Sequence, residues 1–272
     1  MAVVLRDLLE TLEQLWPISG ADEWDAPGLV SGSLDSRISR ILLTVDVTDE
    51  ILDEALDGGF DLIIAHHPLL LRGIKTASEE TSKGRILARA IRGNVAIFAA
   101  HTNADITARG VSAALASAFG LENSLPLIPT GPNIGHGRIG RCSSEVSLGE
   151  FAQGIARILP STATGVRVAG SFDSPVQRIA LCGGAGDSFI EAAYLAGADV
   201  YVTSDLRHHP AQESLERAKA EGRQFALVDI SHWAAEWLWL NWAAADIQGR
   251  FASVQVVVSE IRTDPWDFAV TQ

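Results

Sequence analysis

RILLTVDVTDEILDEALDGGFD occupies residues 40–61, and a related segment, RIALCGGAGDSFIEAAYLAGAD, occupies residues 178–199. The two align without a gap at an offset of 138 residues, and seven of the 22 aligned positions are identical. Each combines a strand pattern with a helical pattern and ends on a glycine and an aspartate. The alternative is a β-α-β rhythm that two unrelated units share by chance. An internal repeat predicts two similar α/β lobes with mainly parallel sheets flanked by helices.

The boundary between the lobes is predicted in residues 124–140, which are rich in proline and glycine. We therefore divide the chain into a first α/β lobe over residues 1–128 and a second over residues 129–272, and allow that the lobes exchange elements. Asp49 is predicted to cap the helix that follows the first repeated strand. Residues 234–245 are predicted to form a tryptophan-rich helix.

Six of the seven histidines fall in four short motifs, each placed after an apolar strand pattern. The motifs are His66-His67-Pro68, His101 to Asp105, His208-His209-Pro210 and His232 to Glu236. Ligands of open α/β sheets bind at the carboxyl ends of the strands, so we expect these side chains to line one site between the lobes. Imidazole and carboxylate are ordinary ligands for zinc, manganese or iron. A doubled set suggests more than one divalent metal ion.

Two of the motifs share the spacing His-x-x-x-carboxylate, at an offset of 131 residues. Positions i and i+4 of a helix share a face, so His232 and Glu236 are predicted to converge on one site. His101 is expected just before its helix, which makes its part in metal binding less direct. Asp105 and Glu236 are natural bridging carboxylates. The spacing alone leaves His101 and His209 open as ligands.

Composition restricts the class of protein. The net charge is −13, with 34 acidic and 21 basic residues and no basic run, so a nucleic-acid partner is not expected. The longest apolar runs are shorter than a membrane span, and the first sixteen residues have the spacing of an amphipathic helix rather than a signal peptide. Two cysteines, Cys142 and Cys182, do not make a disulfide framework. These features predict a cytoplasmic protein without membrane association.

Two further segments have alternative interpretations. The glycine-rich stretch at residues 183–186 either cradles a phosphate through backbone N–H groups or forms a tight turn after a strand. It lacks the lysine of a P-loop and the spacing of a dinucleotide fingerprint. Trp233 and Trp237 share a helix face beside the predicted ligands and either wall a pocket or pack in the core, and we favour packing.

The motifs together resemble those of the Nif-three-like family of dinuclear-metal proteins, known as GTP cyclohydrolase 1 type 2 homologs, over nearly the whole chain. The motifs that carry the resemblance are Trp24-Asp25 with Gly28-Leu29, His66-His67-Pro68, His101 to Asp105, Gly137 to Gly140, Gly183 to Gly186, Thr203 to Asp205 with His209, and His232 with Glu236. The chain departs from the family pattern at Ala26, Ser204, Ser231 and His208, which puts pocket shape and selectivity in doubt but alters no ligand position.

The resemblance implies that two divalent ions, of zinc, manganese or iron, are held by His66, His67, Asp105, His232 and Glu236. It also implies a ring-shaped homohexamer and a metal-dependent hydrolase of small molecules, either of GTP-cyclohydrolase type or acting on a nucleotide or phosphoester. His101 and His209, where they are not ligands, are candidate catalytic residues that move protons or orient the substrate. The alternative function is a non-enzymatic metal-binding ring that acts as a scaffold or in metal storage and delivery.

Overall fold

The computed structural model describes residues 2–270. The helices are α1 (Leu5–Leu15), α2 (Asp49–Asp57), α3 (Ser82–Arg92), α4 (Thr102–Asp105), α5 (Val111–Ala118), α6 (Leu148–Ile158), α7 (Ile190–Leu195), α8 (His208–Ala220) and α9 (His232–Arg250), with 3₁₀ turns at Ile18–Gly20 and Asp187–Phe189. The strands are β1 (Val3–Val4), β2 (Gly28–Ser31), β3 (Arg37–Ile38), β4 (Arg40–Thr44), β5 (Leu62–Ala65), β6 (Ala96–Ala99), β7 (Glu122–Leu125), β8 (Ile128–Gly131), β9 (Ile134–His136), β10 (Arg138–Ser147), β11 (Arg167–Ala169), β12 (Pro175–Ala185), β13 (Val200–Ser204), β14 (Ala226–Asp229) and β15 (Gln255–Val258).

The chain divides into two compact units whose boundary differs from the one predicted at residues 128/129. The first unit comprises the chain through Ala104 together with Leu240–Thr263, and the second comprises Asp105–Trp239 with the residues from Asp264 onward. The boundary moves toward the N-terminus because α5, an apolar helix, packs on β10 and β12 of the second unit. Residues 240–263 join the first unit because β15 pairs with β4.

The first unit contains a five-stranded sheet in the order β15-β4-β5-β6-β2. It is mainly parallel, as predicted, and only the edge strand β2 runs antiparallel to its neighbour. The residues of β5 and β6 are all buried, which fits a parallel sheet covered on both faces. The predicted capping residue is wrong. The Thr48 side chain accepts the Ile51 N–H and caps α2, while Asp49 pairs with Arg85.

The second unit contains a six-stranded sheet in the order β11-β14-β13-β12-β10-β7. This sheet is mixed rather than mainly parallel. Strand β13 runs parallel to β12 and β14, whereas the other neighbouring strands pair antiparallel. The direction of a strand is set by long-range pairing, which the local apolar periodicity does not encode. The α/β class is therefore confirmed, with a mixed sheet in the second unit as the correction.

Identical residues of the two aligned segments make the same hydrogen bonds in their own units. In the first unit the Asp61 carboxylate accepts the Arg40 N–H at 3.0 Å, and the Asp61 N–H donates to the Arg40 carbonyl at 2.9 Å. In the second unit Asp199 accepts the Arg178 N–H at 2.7 Å, and its own N–H donates to the Arg178 carbonyl at 2.8 Å. Each aspartate thus ties the start of one strand to the start of the next. The repeat remains a prediction that these bonds support.

The tryptophan-rich helix is longer than residues 234–245. It begins at His232 and ends at Arg250, so both the histidine and the glutamate of the last motif lie in its first two turns. The first helix is amphipathic as predicted and buries Leu5, Leu8 and Leu12 completely. None of the helices formed by residues 2–270 combines the length and the apolar character needed to cross a membrane.

Arg138 is the buried cation of the second unit's fold, with 3% of its surface exposed. Its guanidinium donates to the carbonyl oxygens of Gly135 at 3.0 Å, Gly137 at 2.8 Å and Thr107 at 2.6 Å. Burial lowers the pKa of this guanidinium, but three acceptors compensate for its lost hydration. The side chain therefore holds three loop carbonyls in place at the start of β10.

We predict that Arg138→Leu lowers the free energy of unfolding by about 3 kcal/mol or more, because each buried carbonyl left without a donor costs about 1–3 kcal/mol. Urea denaturation followed by circular dichroism measures this change. Arg141→Leu, on the exposed side of the same strand, is the matched control and should stay within about 0.5 kcal/mol of wild type. Equal effects of the two substitutions would contradict this role of Arg138.

Candidate metal centre

Three histidines cluster at one edge of the first unit's sheet. His66 and His67 follow β5 directly and His101 follows β6 by one residue, so all three lie at the carboxyl ends of neighbouring parallel strands. One ring nitrogen of each lies within 4.8 Å of the others, and the ring centroids are 5.2–5.4 Å apart. The His66 and His67 N–H groups donate to the Thr44 and Val45 carbonyls, so the sheet hydrogen bonds continue into the cluster.

The hydrogen bond of His66 fixes its tautomer. Its ring is completely buried, and Nδ1 lies 2.9 Å from the carbonyl oxygen of Ala100. A carbonyl oxygen only accepts hydrogen bonds, so Nδ1 carries the proton. In the neutral ring Nε2 then holds the lone pair, which is the form of imidazole that binds a metal.

Carboxylates perform the same task for the other two rings. His67 donates from Nδ1 to Asp46 Oδ1 at 2.7 Å, and His101 donates from Nδ1 to Asp25 Oδ1 at 2.7 Å. Thr263 donates to the second oxygen of Asp46 at 2.6 Å and holds that carboxylate in turn. Burial opposes ionisation of Asp25, but its hydrogen bonds with His101 and Thr102 keep its pKa well below the usual range. Asp25 is therefore an ionised acceptor that orients its histidine.

In the second unit, His232 and Glu236 converge as their i, i+4 spacing predicts. His232 Nε2 lies 2.9 Å from Glu236 Oε1, and only 3% of the Glu236 side chain is exposed. His232 donates from Nδ1 to Asp205 Oδ2 at 2.6 Å. Burial alone would lower the pKa of His232, but attraction to Glu236 and the hydrogen bonds to both carboxylates raise it to about 11. A metal ion bound through Nε2 would displace this proton.

Gly184 shapes the space beside this pair. Its φ is +72°, in the left-handed region that favours glycine. A Cβ atom at this position would lie 2.7 Å from Glu236 Oε1 and 3.5 Å from His232 Nε2. Of the two interpretations of residues 183–186, the tight turn is therefore the one with contacts behind it, because the missing side chain leaves room for the ligand pair. The segment that follows is a short 3₁₀ turn rather than a long helix with an N-terminal anion site.

Asp105 ends the one-turn helix α4 and is half-buried. Its charge and that of Glu236 are both felt at the Cys182 thiol, whose pKa is raised to about 12 by burial first and by these two carboxylates next. Cys182 lies in β12 as the core residue that its apolar strand predicts, and both cysteines are free. Asp105 and Glu236 are thus acidic groups near the same buried thiol.

The structure separates the two candidate catalytic histidines. His101 belongs to the imidazole cluster of the first unit. His209 lies in the first turn of α8, is exposed and contacts the ring of His208 with centroids 5.3 Å apart. Trp233 is buried and packs on Trp237 with ring centroids 6.1 Å apart, which agrees with the packing interpretation of these aromatic residues.

Sequence reasoning missed the residues that orient the ligands. Asp46 follows β4 in a run of alternating valines and carries no spacing that marks it. Asp25 belongs to a motif that was identified by resemblance alone. Ala100 contributes a backbone carbonyl, for which no sequence signal exists. Asp205 was part of a motif but its partner, His232, could not be inferred from spacing.

The donor set fits a divalent transition metal. Neutral imidazole Nε2 atoms and buried carboxylates are ligands for zinc, manganese and iron, and the clusters described here contain no thiolate. The second observation is the hydrogen bond that each ring makes through Nδ1, which is the usual orientation device for metal-binding histidine. The space that Gly184 leaves at Glu236 and His232 is the third.

Known proteins match this chain over nearly its full length. A protein of Streptomyces coelicolor named GTP cyclohydrolase 1 type 2 homolog is 41% identical, over 96% of this chain and 93% of its own. A protein of Mycobacterium bovis with the same name is 32% identical, over 98% and 97% of the two chains. Both names describe the relatives.

Solved structures agree with the fold. A Bacillus cereus protein related to NIF3 superposes with a TM-score of 0.91 at 25% identity, over 98% of this chain and 99% of its own. A hypothetical protein of Staphylococcus aureus gives a TM-score of 0.88 at 28% identity with the same coverage. The Duf34/NIF3 (NGG1p interacting factor 3) family profile matches residues 3–265. The chain therefore belongs to the Duf34/NIF3 family.

Proposed function

We propose that this protein binds two divalent metal ions and uses them as a metal-dependent hydrolase, either of GTP-cyclohydrolase type or acting on a nucleotide or phosphoester. The observation that carries the proposal is the shared hydrogen-bonding pattern of the histidines, in which Nδ1 donates to a protein oxygen and Nε2 remains the ligand atom. The proposed metal ligands are His66, His67, Asp105, His232 and Glu236.

The residues of the chain divide the work between binding and proton transfer. The orienting carboxylates Asp46 and Asp205 hold their imidazoles in one tautomer, so little orientation remains to be lost when a ligand binds. Divalent ions held by such ligands supply Lewis acidity and lower the pKa of water. His101 is hydrogen-bonded to the ionised Asp25 and only 12% of its side chain is exposed, so it is placed to accept and return a proton beside the substrate. His209, exposed on α8, remains the second candidate.

The family name of the relatives supports the reaction class. GTP cyclohydrolase chemistry is hydrolytic ring opening, and it requires activated water at a polar site of the kind described above. The resemblance of the motifs also supports a ring-shaped homohexamer, and the free cysteines fit a cytoplasmic protein. The net charge of −13 opposes nucleic acid as a partner.

Metal content is the direct test of the ligand set. We expect about two equivalents of metal per chain in protein purified without chelator, as in other two-metal sites. His67→Ala and Glu236→Gln should each lower that content to about one equivalent or less, because each removes a proposed ligand. His101→Ala should retain the metal, and the exposed His208→Ala is the matched control. Elemental analysis by mass spectrometry gives the numbers. Wild-type protein that neither contains nor takes up zinc, manganese or iron would contradict the proposal.

Gly184→Ala is predicted to remove metal without a matching loss of stability. The added Cβ lies 2.7 Å from Glu236 Oε1, at the end of a side chain that can turn away, so binding suffers more than folding. Gly120→Ala is the control, because Gly120 has a similar φ of +69° and no atom within 4 Å of its Cβ position. Both should cost about 1–2 kcal/mol for the left-handed backbone, measured by urea denaturation. Equal metal content in the two variants would contradict the steric role of Gly184.

Asp105→Asn separates the hydrolase from a scaffold. A hydrolase should keep its fold and its oligomer, measured by light scattering, and lose at least about 100-fold in turnover, since a ligand of the reaction centre is gone. Turnover of GTP and of bis(4-nitrophenyl) phosphate is assayed with the metal-loaded wild type beside the variant. A variant that loses assembly, with a wild type that hydrolyses neither compound, would instead favour the metal-binding ring scaffold.

A further inference from the structure

Trp24 is a large aromatic residue that the fold leaves 60% exposed. A single exposed apolar side chain is ordinary in itself. This indole, however, lies beside the imidazole cluster of the first unit. Its ring centroid is 5.7 Å from that of His101, and the two planes meet at 80°. His101 in turn lies 5.2 Å from His66 and 5.4 Å from His67 by ring centroids. Trp24 therefore borders the site and is not a random surface residue.

The backbone that carries this indole is rigidly held. Asp25 donates its N–H to the Asp22 carbonyl at 3.0 Å and closes the turn that contains Trp24. The Asp22 N–H donates to Thr102 Oγ1 at 3.0 Å, and Thr102 donates its own N–H to Asp25 Oδ2 at 3.0 Å. The Asp25 side chain is completely buried. The turn is thus tied to the residue after His101, and the indole projects from a fixed frame into solvent.

A fixed and exposed indole is suited to one kind of ligand. Planar heteroaromatic rings stack on tryptophan, and the stacking tolerates different bases because each has a π face. A bare phosphate or an aliphatic phosphoester gains nothing from such a surface, because it has no ring to stack. The edge of a ring stacked at this position would face the histidine cluster, where polar groups are available.

We infer that Trp24 is the stacking platform for a heteroaromatic base, so that the substrate is a nucleotide or a related planar heterocycle. This inference rests on the proposed function and narrows it, since it removes simple phosphoesters from the substrate class. Trp24 is a binding and specificity residue and takes no part in holding metal. Its removal should weaken ligands that carry a base and leave ligands without a base unaffected.

The experiment compares GTP with inorganic tripolyphosphate by isothermal titration calorimetry on metal-loaded protein. Trp24→Leu should weaken GTP binding roughly ten- to hundredfold, as loss of one base-stacking aromatic does, and leave the affinity for tripolyphosphate unchanged. Trp24→Phe should retain most of the GTP affinity, because a phenyl ring still stacks. Trp266→Leu is the matched control. Trp266 is 61% exposed, and within residues 2–270 it has no ring contact with a histidine.

Three results would overturn the inference. These are unchanged GTP affinity in Trp24→Leu, an equal loss of affinity for both ligands, and a wild type that does not bind GTP. Light scattering on the same samples identifies a role in subunit contact: a change of mass in Trp24→Leu with unchanged GTP affinity also overturns it. Metal content is measured in parallel. Metal-loaded wild type with a negative titration contradicts only this inference, whereas a wild type without metal contradicts the proposed metal centre itself.

Discussion

An imidazole can bind a metal through one nitrogen only when the other nitrogen is occupied in a way that fixes the ring. This constraint organises the candidate site. His66 uses a backbone carbonyl for that purpose, whereas His67 and His232 use carboxylates. Each acceptor comes from a segment distant in the chain from its histidine, so the tautomers exist only in the folded protein. The strands that end at these positions are the means by which the fold brings donor and acceptor together.

The same constraint explains the unusual cost that the second unit carries at Asp205. This residue has a φ of +55°, in the left-handed region that side chains other than glycine, asparagine and aspartate seldom adopt. Such strain persists where the surroundings determine the conformation. Here the carboxylate of Asp205 is bound to His232, and Ser204 before it is completely buried. Ser231, another departure from the family pattern, accepts the Ala234 N–H and so caps the helix that carries His232 and Glu236.

The parts of the site that could be predicted are those with a local period. His232 and Glu236 converge because a helix places positions i and i+4 on one face, and His66 follows an apolar strand that the sequence shows plainly. Asp46 could not be found, because its partner is 21 residues away and nothing near it marks a ligand-orienting role. The direction of β10 against β12, and the boundary between the units, depend likewise on pairings between distant segments that no local pattern contains.

The two aligned segments also show how similar units can take different parts in one chemistry. At the offset of 138 residues, His66 corresponds to Ser204 and His67 to Asp205. The end of β5 therefore presents imidazoles, whereas the end of β13 presents a carboxylate that holds the imidazole of His232. A carboxylate at position 67 could not be oriented by Asp46, since two ionised acceptors repel each other and share no proton. The histidine after β5 and the aspartate after β13 are consequently not interchangeable, even though both occupy the same place in the β-α-β unit.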